Sequence, residues 1–553
     1  MRFFLKFILL SIAYYFINEP FIDNRVGFYT MVEWWAKLSG YLAQLGLTLV
    51  LVTFFSSAIR SIKWGFLGLF LINSIAYLAY YKAVGAPLTF SDFSTLFQAK
   101  GMIGEAFSGY SDVLLSTILI HIPFVLVYLW CPSKNLKLRG SLITLVFYIL
   151  ILIAYSISLI NTQGRGLIGR PGFILPTVQL SVYGYVNLQN SGVNDKLRPK
   201  PRPSLDDLTP ENNGINTLIM VIDESMNWDL IDLNYAGDVT PALIRYSDNN
   251  IINFGKAVSY ANCSDLSNAS IRKFVRHGEE EKDLLGEGAV FIWDSVKRAG
   301  FTPYLIDAQG NGVGHNYFTS QETDQITILP VKGIPDHELI DLIVETRVAE
   351  PTEKQFFLVI KQGAHLPYSN TGFEEYFTPA MANSSLSGAT REQIINSYKN
   401  RARFETNLFF EKVFEKLDYK KDTALIYTSD HGQSFNAPGQ KSFHCDTRNP
   451  DAEEAVVPLL VIAPEKIRQY NDTIMAIEAS PSYKSHYYIP ALIMALSGYS
   501  DKDVAAFTAY SQLLESSVAP HFVYNRAVPF FDANSEKKVI EKDEIDRLKP
   551  QTP

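Results

Sequence analysis

Ala424-Leu425-Ile426-Tyr427-Thr428-Ser429-Asp430-His431-Gly432-Gln433-Ser434 reads as an apolar strand that ends abruptly in adjacent Asp and His. Both end residues are metal-ligand types, so the stretch predicts two ligands at the carboxyl end of a strand. A second run, Asn216-Thr217-Leu218-Ile219-Met220-Val221-Ile222, ends the same way in Asp223-Glu224-Ser225. In α/β sheets such strand ends line the reacting crevice. Two acidic strand ends therefore predict one metal site.

The same alternation extends outward. Strands are expected near 216–222, 302–306, 356–361, 423–428 and 457–462, and helices near 239–247, 288–299, 336–348, 391–417 and 487–497. Strands separated by helices predict an α/β domain with a mostly parallel or mixed sheet covered on both faces, over 209–535. The charged, apolar-poor segment 536–553 is expected to be a frayed tail.

The first 162 residues read differently. Phe3 to Ile17, Leu38 to Ala58, Trp64 to Tyr81, Val113 to Trp130 and Ser141 to Ile160 are long, almost uncharged runs, predicting a five-helix transmembrane domain over 1–162. The first run is short enough for a signal peptide, but no small-residue cleavage site precedes Asn18-Glu19-Pro20, and it is read as a retained span. Arg2 and Lys6, Arg60 and Lys63, and Lys134, Lys137 and Arg139 mark alternate ends, which the positive-inside rule places in the cytoplasm. Five spans then deliver the remainder of the chain to the opposite side. Between the two parts, 163–208 combines a Gly-rich apolar stretch, read as interfacial, with the basic Pro-rich run Lys196 to Pro203, read as a stiff tether.

Residues 1–160 carry 11 Lys+Arg against 6 Asp+Glu, a net +5 within a chain of net −8, which leaves −13 for the rest. An acidic outer domain argues against nucleic acid as a partner. Of three cysteines, Cys131 falls at the cytoplasmic membrane face, and Cys263 and Cys445 remain as an open question of one disulfide.

A catalytic zinc site uses three protein ligands and one open position, and Glu224, Asp430 and His431 supply three donors of the right kind. Taken singly, an acid at a strand end also serves to cap the next helix. Together, Val221-Ile222-Asp223-Glu224-Ser225, Leu233-Asn234-Tyr235, Thr240-Pro241 and Thr428-Ser429-Asp430-His431-Gly432 resemble the sulfatase-like phosphoethanolamine transferases of the bacterial envelope. The resemblance extends to the five spans and the tether. It implies an alkaline-phosphatase-like fold, one zinc ion with a second possible, and transfer of phosphoethanolamine from phosphatidylethanolamine through a covalent intermediate. It also implies an inner-membrane protein with a cytoplasmic N-terminus and a periplasmic catalytic domain.

Within Asn262-Cys263-Ser264-Asp265-Leu266-Ser267-Asn268-Ala269-Ser270, the resemblance places the nucleophile, and a fourth metal ligand, at Ser267, with Ser264 and Ser270 as the competing hydroxyls. It assigns His365 and His444 to proton transfer and phosphoryl stabilisation, and Asn311 and His315, in a Gly-rich loop after a strand, to substrate contact. Gln433 stands where the family commonly has Glu, and Arg272 where a Pro is often found. These departures bear on the acceptor, expected to be lipopolysaccharide (lipid A or a core sugar) or a glucan. The alternatives are a phosphoglycerol transferase using phosphatidylglycerol and Mn2+, and a non-catalytic glycan- or lipid-binding protein. A formylglycine sulfatase is disfavoured, because Cys263-Ser264-Asp265-Leu266-Ser267 lacks the Pro and Arg that its maturation requires.

Overall fold

The computed structural model describes residues 2–31, 34–84, 88, 93, 103–130, 136–161, 174–193, 203–280, 290–309, 316, 318, 320–331, 334–351, 353–366, 368, 376–381, 389–435, 443–446, 449–508, 510–515, 518–525 and 536–551. Two compact units emerge, one formed mainly by residues 1–96 and 110–190, the other by 191–527 and 534–553. The Pro-rich tether, the Gly-rich start of the interfacial segment and Cys131 lie outside the described residues.

The first unit contains five helices long and apolar enough to cross a membrane: Phe3–Asp23, Trp35–Ser56, Arg60–Ala83, Tyr110–Leu129 and Leu138–Leu159. Each coincides with an expected run, so the chain is a multi-pass membrane protein. Aromatic side chains pack the helices together, with Phe55 stacked on Phe66 at 3.9 Å and Phe70 on Phe124 at 4.3 Å. Large apolar side chains such as Ile72, Leu126 and Ile143 point outward, as lipid-facing residues do. Two buried polar pairs lie among them, His121 Nε2 with Ser74 Oγ at 2.8 Å and Tyr128 Oη donating to Lys63 O at 3.0 Å. The helix Ile174–Val193, expected at the interface, adds Val178, Val182 and Tyr183 to this same core.

The second unit is built on an eight-stranded mixed sheet with the order β4-β3-β5-β1-β6-β7-β2-β8. Its strands are β1 (Thr217–Asp223), β2 (Ile251–Val258), β3 (Phe301–Asp307), β4 (Thr327–Leu329), β5 (Lys354–Ile360), β6 (Thr423–Ser429), β7 (Val456–Ile462) and β8 (Lys484–Ser485). β4, β3, β5, β1 and β6 run parallel, whereas β7 pairs antiparallel with both β6 and β2. The central strands are apolar throughout because both faces are covered. Leu218, Met220 and Ile222 point into one core with Phe356, Leu358, Ile426 and Trp293. Ile219 and Val221 point into the other with Phe357, Val359, Tyr427 and Phe410.

Several features depart from the expectations drawn from pattern, the short strands β4 and β8 among them. The helix expected over 391–417 contains a π turn, Arg403–Asn407, between Arg391–Ala402 and Leu408–Lys416. That turn delivers Thr406, whose hydroxyl donates to Asp223 Oδ2 at 2.8 Å and accepts from Lys361 Nζ at 2.9 Å. β2, which lies between β7 and the two-residue edge strand β8, is not among the expected strands because its buried residues do not alternate regularly.

The C-terminal segment is docked rather than frayed. β10 (Glu536–Val539) pairs antiparallel with β9 (His521–Asn525), and Ile540 and Ile545 are buried. Gln551 inserts its backbone N–H onto Asp229 Oδ2 and its side-chain amide onto Glu453 Oε2, both at 2.6 Å. Two apolar anchors and one amide suffice where mean composition suggests a free end.

Arg272 is fully buried. Its Nε donates to Glu322 Oε1 at 2.9 Å, its Nη2 to Asn316 O at 2.6 Å, and the guanidinium lies 3.6 Å from the Phe318 ring centre. Arg272→Ala should destabilise this unit by about 3–5 kcal/mol, since Glu322 would be left buried without its countercharge. Denaturant titration followed by tryptophan fluorescence checks this through Trp293, whose indole N–H reaches Glu322. The double substitution Arg272→Met with Glu322→Leu should recover most of the loss.

Candidate active site

β1 and β6 are neighbouring parallel strands whose register sets Asp223 opposite Ser429. The next residues, Glu224 and Asp430, are therefore brought side by side as the chains leave the sheet. Glu224, Asp430 and His431 each offer a ligand atom, and these atoms lie within 4.8 Å of one another, all buried. The arrangement is a candidate metal-binding site. His431 Nδ1 pairs with Gly432 O at 2.8 Å, which leaves Nε2 to face the site, 3.3 Å from Glu224 Oε1. Such a second-sphere bond is how a ligating imidazole is oriented. Asp430 Oδ1 accepts from the backbone N–H groups of Ser225 and His431, at 3.0 and 2.8 Å, while its Oδ2, also buried, accepts no hydrogen bond among the described residues. A buried carboxylate oxygen that accepts no hydrogen bond, beside a second carboxylate and an imidazole nitrogen turned to the same place, is a donor set a divalent cation fits.

The surroundings hold these ligands still. Below them, Lys361 Nζ meets Asp223 Oδ2 at 2.5 Å, both side chains fully buried, and Tyr427 Oη donates to the same oxygen at 2.7 Å. Gly432 is required by close approach, because a Cβ there would overlap Glu453 O and Asn227 Oδ1. Gln433 is buried scaffold: its backbone N–H donates to Asn227 Oδ1 at 2.5 Å, and its side-chain oxygen accepts from Tyr368 Oη. A neutral amide at this place avoids a third buried carboxylate beside the ligands.

The hydroxyl at the donor set belongs to Ser264. Its Oγ lies 3.2 Å from Glu224 Oε2 and 3.1 Å from His431 Nε2. The helix Ser264–Arg272 begins with this residue, Cys263 being its extended N-cap. Ser267 sits one turn further in, about 4.5 Å along the axis. Its hydroxyl is fully buried and exchanges hydrogen bonds of 3.1 Å with the backbone N–H and C=O of Ala261. The structure thus brings Ser264, not Ser267, to Glu224 and His431. A sequence signal for this exists: Cys263-Ser264-Asp265 has the extended-residue, polar-residue, acidic-first-turn pattern of a helix start, and the residue at that start faces the strand ends.

His444 is also at the site, its ring stacked on that of His431 with centroids 4.4 Å apart and planes at 23°. His365 is half-buried and near enough for its charge to act on Glu224 and His444. Asn311 and His315 lie outside the described residues. From the same loop, Gln309 is the residue that arrives: its Nε2 donates to Glu224 Oε2 at 2.8 Å and to Lys361 O at 2.7 Å. It follows Asp307, the last residue of β3, by two positions, so the strand-end rule points to it as well.

The fold and the ligand set place the chain among known proteins. The sulfatase family model matches residues 216–499. The chain belongs to the sulfatase family. Among curated relatives, phosphoethanolamine transferase EptA of Helicobacter pylori is 24% identical over 456 residues, covering 74% of this chain and 78% of the relative. EptA of Escherichia coli K12 is 21% identical over 312 residues, 54% of this chain and 56% of the relative. Among solved structures, the integral membrane lipooligosaccharide phosphoethanolamine transferase A of Neisseria meningitidis superposes with a TM-score of 0.63 at 17% identity, over 91% of this chain and 98% of that one. The architecture is the alkaline-phosphatase/sulfatase-like α/β domain joined to membrane helices.

Charge at the site follows from its burial. Burial pushes the Glu224 carboxyl up, but the hydrogen bond and charge of His431 prevail and hold it well below its ordinary value. Burial and the Glu224 carboxylate push Asp430 well above its ordinary value. Burial opposes charge on His431, yet Asp430 and Glu224 raise it to about 9. Without a cation, then, the His431 proton stabilises the fold fully below its ordinary value near 6.5, and that contribution is lost as pH rises through about 9. A cation must displace the same proton. Divalent-metal affinity of the full-length protein should accordingly weaken as pH falls below 9, by about tenfold per pH unit for each proton displaced, with protons released on binding. Calorimetry in buffers of different ionisation enthalpy measures both.

Proposed function

We propose that this protein is a phosphoethanolamine transferase that moves the headgroup of phosphatidylethanolamine to an envelope glycolipid or glycan through a covalent intermediate on Ser264. The observation that carries the reading is the Ser264 hydroxyl, held at 3.1 and 3.2 Å from two of the three clustered ligands at a helix N-terminus. Its support beyond this site is the likeness to the EptA transferases.

Glu224, Asp430 and His431 would hold the cation, zinc in this reading. Bound there, it would supply the positive charge that lowers the pKa of a nearby hydroxyl and offsets charge on a phosphoryl oxygen. Ser264 loses its proton and its Oγ attacks phosphorus, breaking the bond to the diacylglycerol oxygen, which leaves as an alcohol after protonation. The Ser264 Oγ–P bond then breaks in turn when an acceptor hydroxyl or phosphate attacks. His365 and His444 flank the reacting atoms and move the proton to the leaving oxygen and from the attacking one. Gln309 fixes the Glu224 carboxylate through its 2.8 Å hydrogen bond. Backbone N–H groups at the start of the Ser264–Arg272 helix orient the phosphoryl oxygens.

A lipid donor explains the membrane helices, because tethering confines the catalytic unit near its substrate and raises the effective concentration. The charge pattern of the spans supports an inner-membrane protein with a cytoplasmic N-terminus and a periplasmic catalytic unit. The acceptor in this reading is lipopolysaccharide or a related glycan.

Intact-mass spectrometry with peptide mapping, after incubation with phosphatidylethanolamine and zinc, tests the reading. A phosphoethanolamine adduct on Ser264 is expected, absent in Ser264→Ala and retained in Ser267→Ala. Ser264→Ala should lower turnover by about 10³-fold or more. An adduct on Ser267 would overturn the nucleophile, and an adduct formed only from phosphatidylglycerol would overturn the donor. No adduct with either lipid, together with no retained metal, would leave a binding protein.

A further inference from the structure

His444 reaches the site from a part of the chain far in sequence from the helix that carries Ser264. One covalent bond joins the two. Cys263 and Cys445 form a disulfide across a separation of 182 residues, with Cα atoms 4.9 Å apart. Cys263 immediately precedes Ser264, and Cys445 immediately follows His444.

Hydrogen bonds reinforce the junction. The Cys445 backbone N–H donates to Asn262 O at 2.9 Å, and Asn262 Nδ2 donates to Asp446 O at 3.0 Å. The buried Glu454 carboxylate accepts from Asn262 Nδ2 at 2.8 Å and from the Asp446 N–H at 3.0 Å through the same oxygen, Oε2. At the other end of the segment, the Ser434 N–H donates to Phe443 O at 2.7 Å. Cys445 itself has a φ of +59°, a left-handed conformation that a non-glycine residue keeps only where its surroundings over-determine it. The result of all these ties is one ring placement, His444 stacked on His431.

We infer that the Cys263–Cys445 disulfide, with Glu454, is a positioning device of the transfer reaction: it sets the His444 ring against the ligand His431 beside Ser264, so that the oxidised protein holds a catalytic histidine that the reduced protein lets go. The inference rests on the transferase reading for its kinetic part and on geometry alone for its structural part. Cys263, Cys445 and Glu454 touch no substrate in this scheme and act through His444. Glu224, Asp430 and His431 are held by the strand ends, so metal binding is independent of the clamp.

The test uses the full-length protein in detergent, as wild type, as Cys263→Ser with Cys445→Ser, and as wild type reduced by dithiothreitol. Dithiothreitol donates two electrons and two protons, converting the disulfide to two thiols and becoming a cyclic disulfide, so it removes the bond without a substitution. Three quantities are read: bound metal, the rate at which diethyl pyrocarbonate modifies His444, by peptide mapping, and transfer kinetics with phosphatidylethanolamine. Loss of the disulfide should leave metal content unchanged and raise His444 reactivity by about tenfold. It should also lower kcat by about 10- to 100-fold with a smaller change in KM.

In a His444→Ala background, loss of the disulfide should cost almost nothing more, since the two changes remove the same interaction. An unchanged His444 reactivity would overturn the inference. So would an equal fall in kcat with and without His444, or loss of metal in both the substituted and the reduced protein, since either means that the bond is only a staple of the fold. If the wild type performs no transfer, the transferase reading fails, and His444 reactivity still decides whether the clamp exists.

Discussion

The site depends on a single pairing, that of β1 with β6. Their parallel register, Asp223 against Ser429, forces two acidic side chains, Glu224 and Asp430, out of the sheet at the same height. Two buried carboxylates so close repel each other unless positive charge is supplied. His431 supplies some of it, at the cost of a proton that a metal would displace. The floor beneath is charged and closed, with Lys361 paired to Asp223 and held by Thr406 and Tyr427. Backbone N–H groups, a glycine that leaves room and a glutamine on Glu224 complete a rigid cradle around a place for a cation.

Onto this fixed centre the chain brings its reacting groups by independent routes. Ser264 comes from the start of a helix that follows β2, Gln309 from the end of β3, His365 from the end of β5, and His444 from the segment after β6. Strand ends of a parallel sheet converge without further help. His444 lies further along the chain from its strand, and the disulfide ties its segment to the start of the helix that carries Ser264.

The departures from the family pattern have local physical explanations. Arg272 is neutralised by Glu322 and sealed by Phe318. Gln433 keeps the hydrogen-bonding reach of Glu without adding a third charge near the ligands. Neither change touches the donor set.

Much of this was legible in the residues alone. Apolar runs of about twenty residues mark membrane helices because the bilayer sets their length. Short apolar runs ending in acids mark the central strands, and all five expected strands are found, because hydrophobic periodicity is a local property. Glu224, Asp430 and His431 could be named for the same reason. What the tertiary structure decided is what depends on partners distant in sequence. Three serines in seven residues are equivalent in composition. Ser264 rather than Ser267 faces the ligands because the helix begins only after the segment that follows β2, Ala261 and Asn262, which is pinned to Val523 in β9. The docking of the C-terminal segment, the arrival of Gln309 and the pairing of Cys263 with Cys445 were likewise settled by long-range packing, which no local pattern encodes.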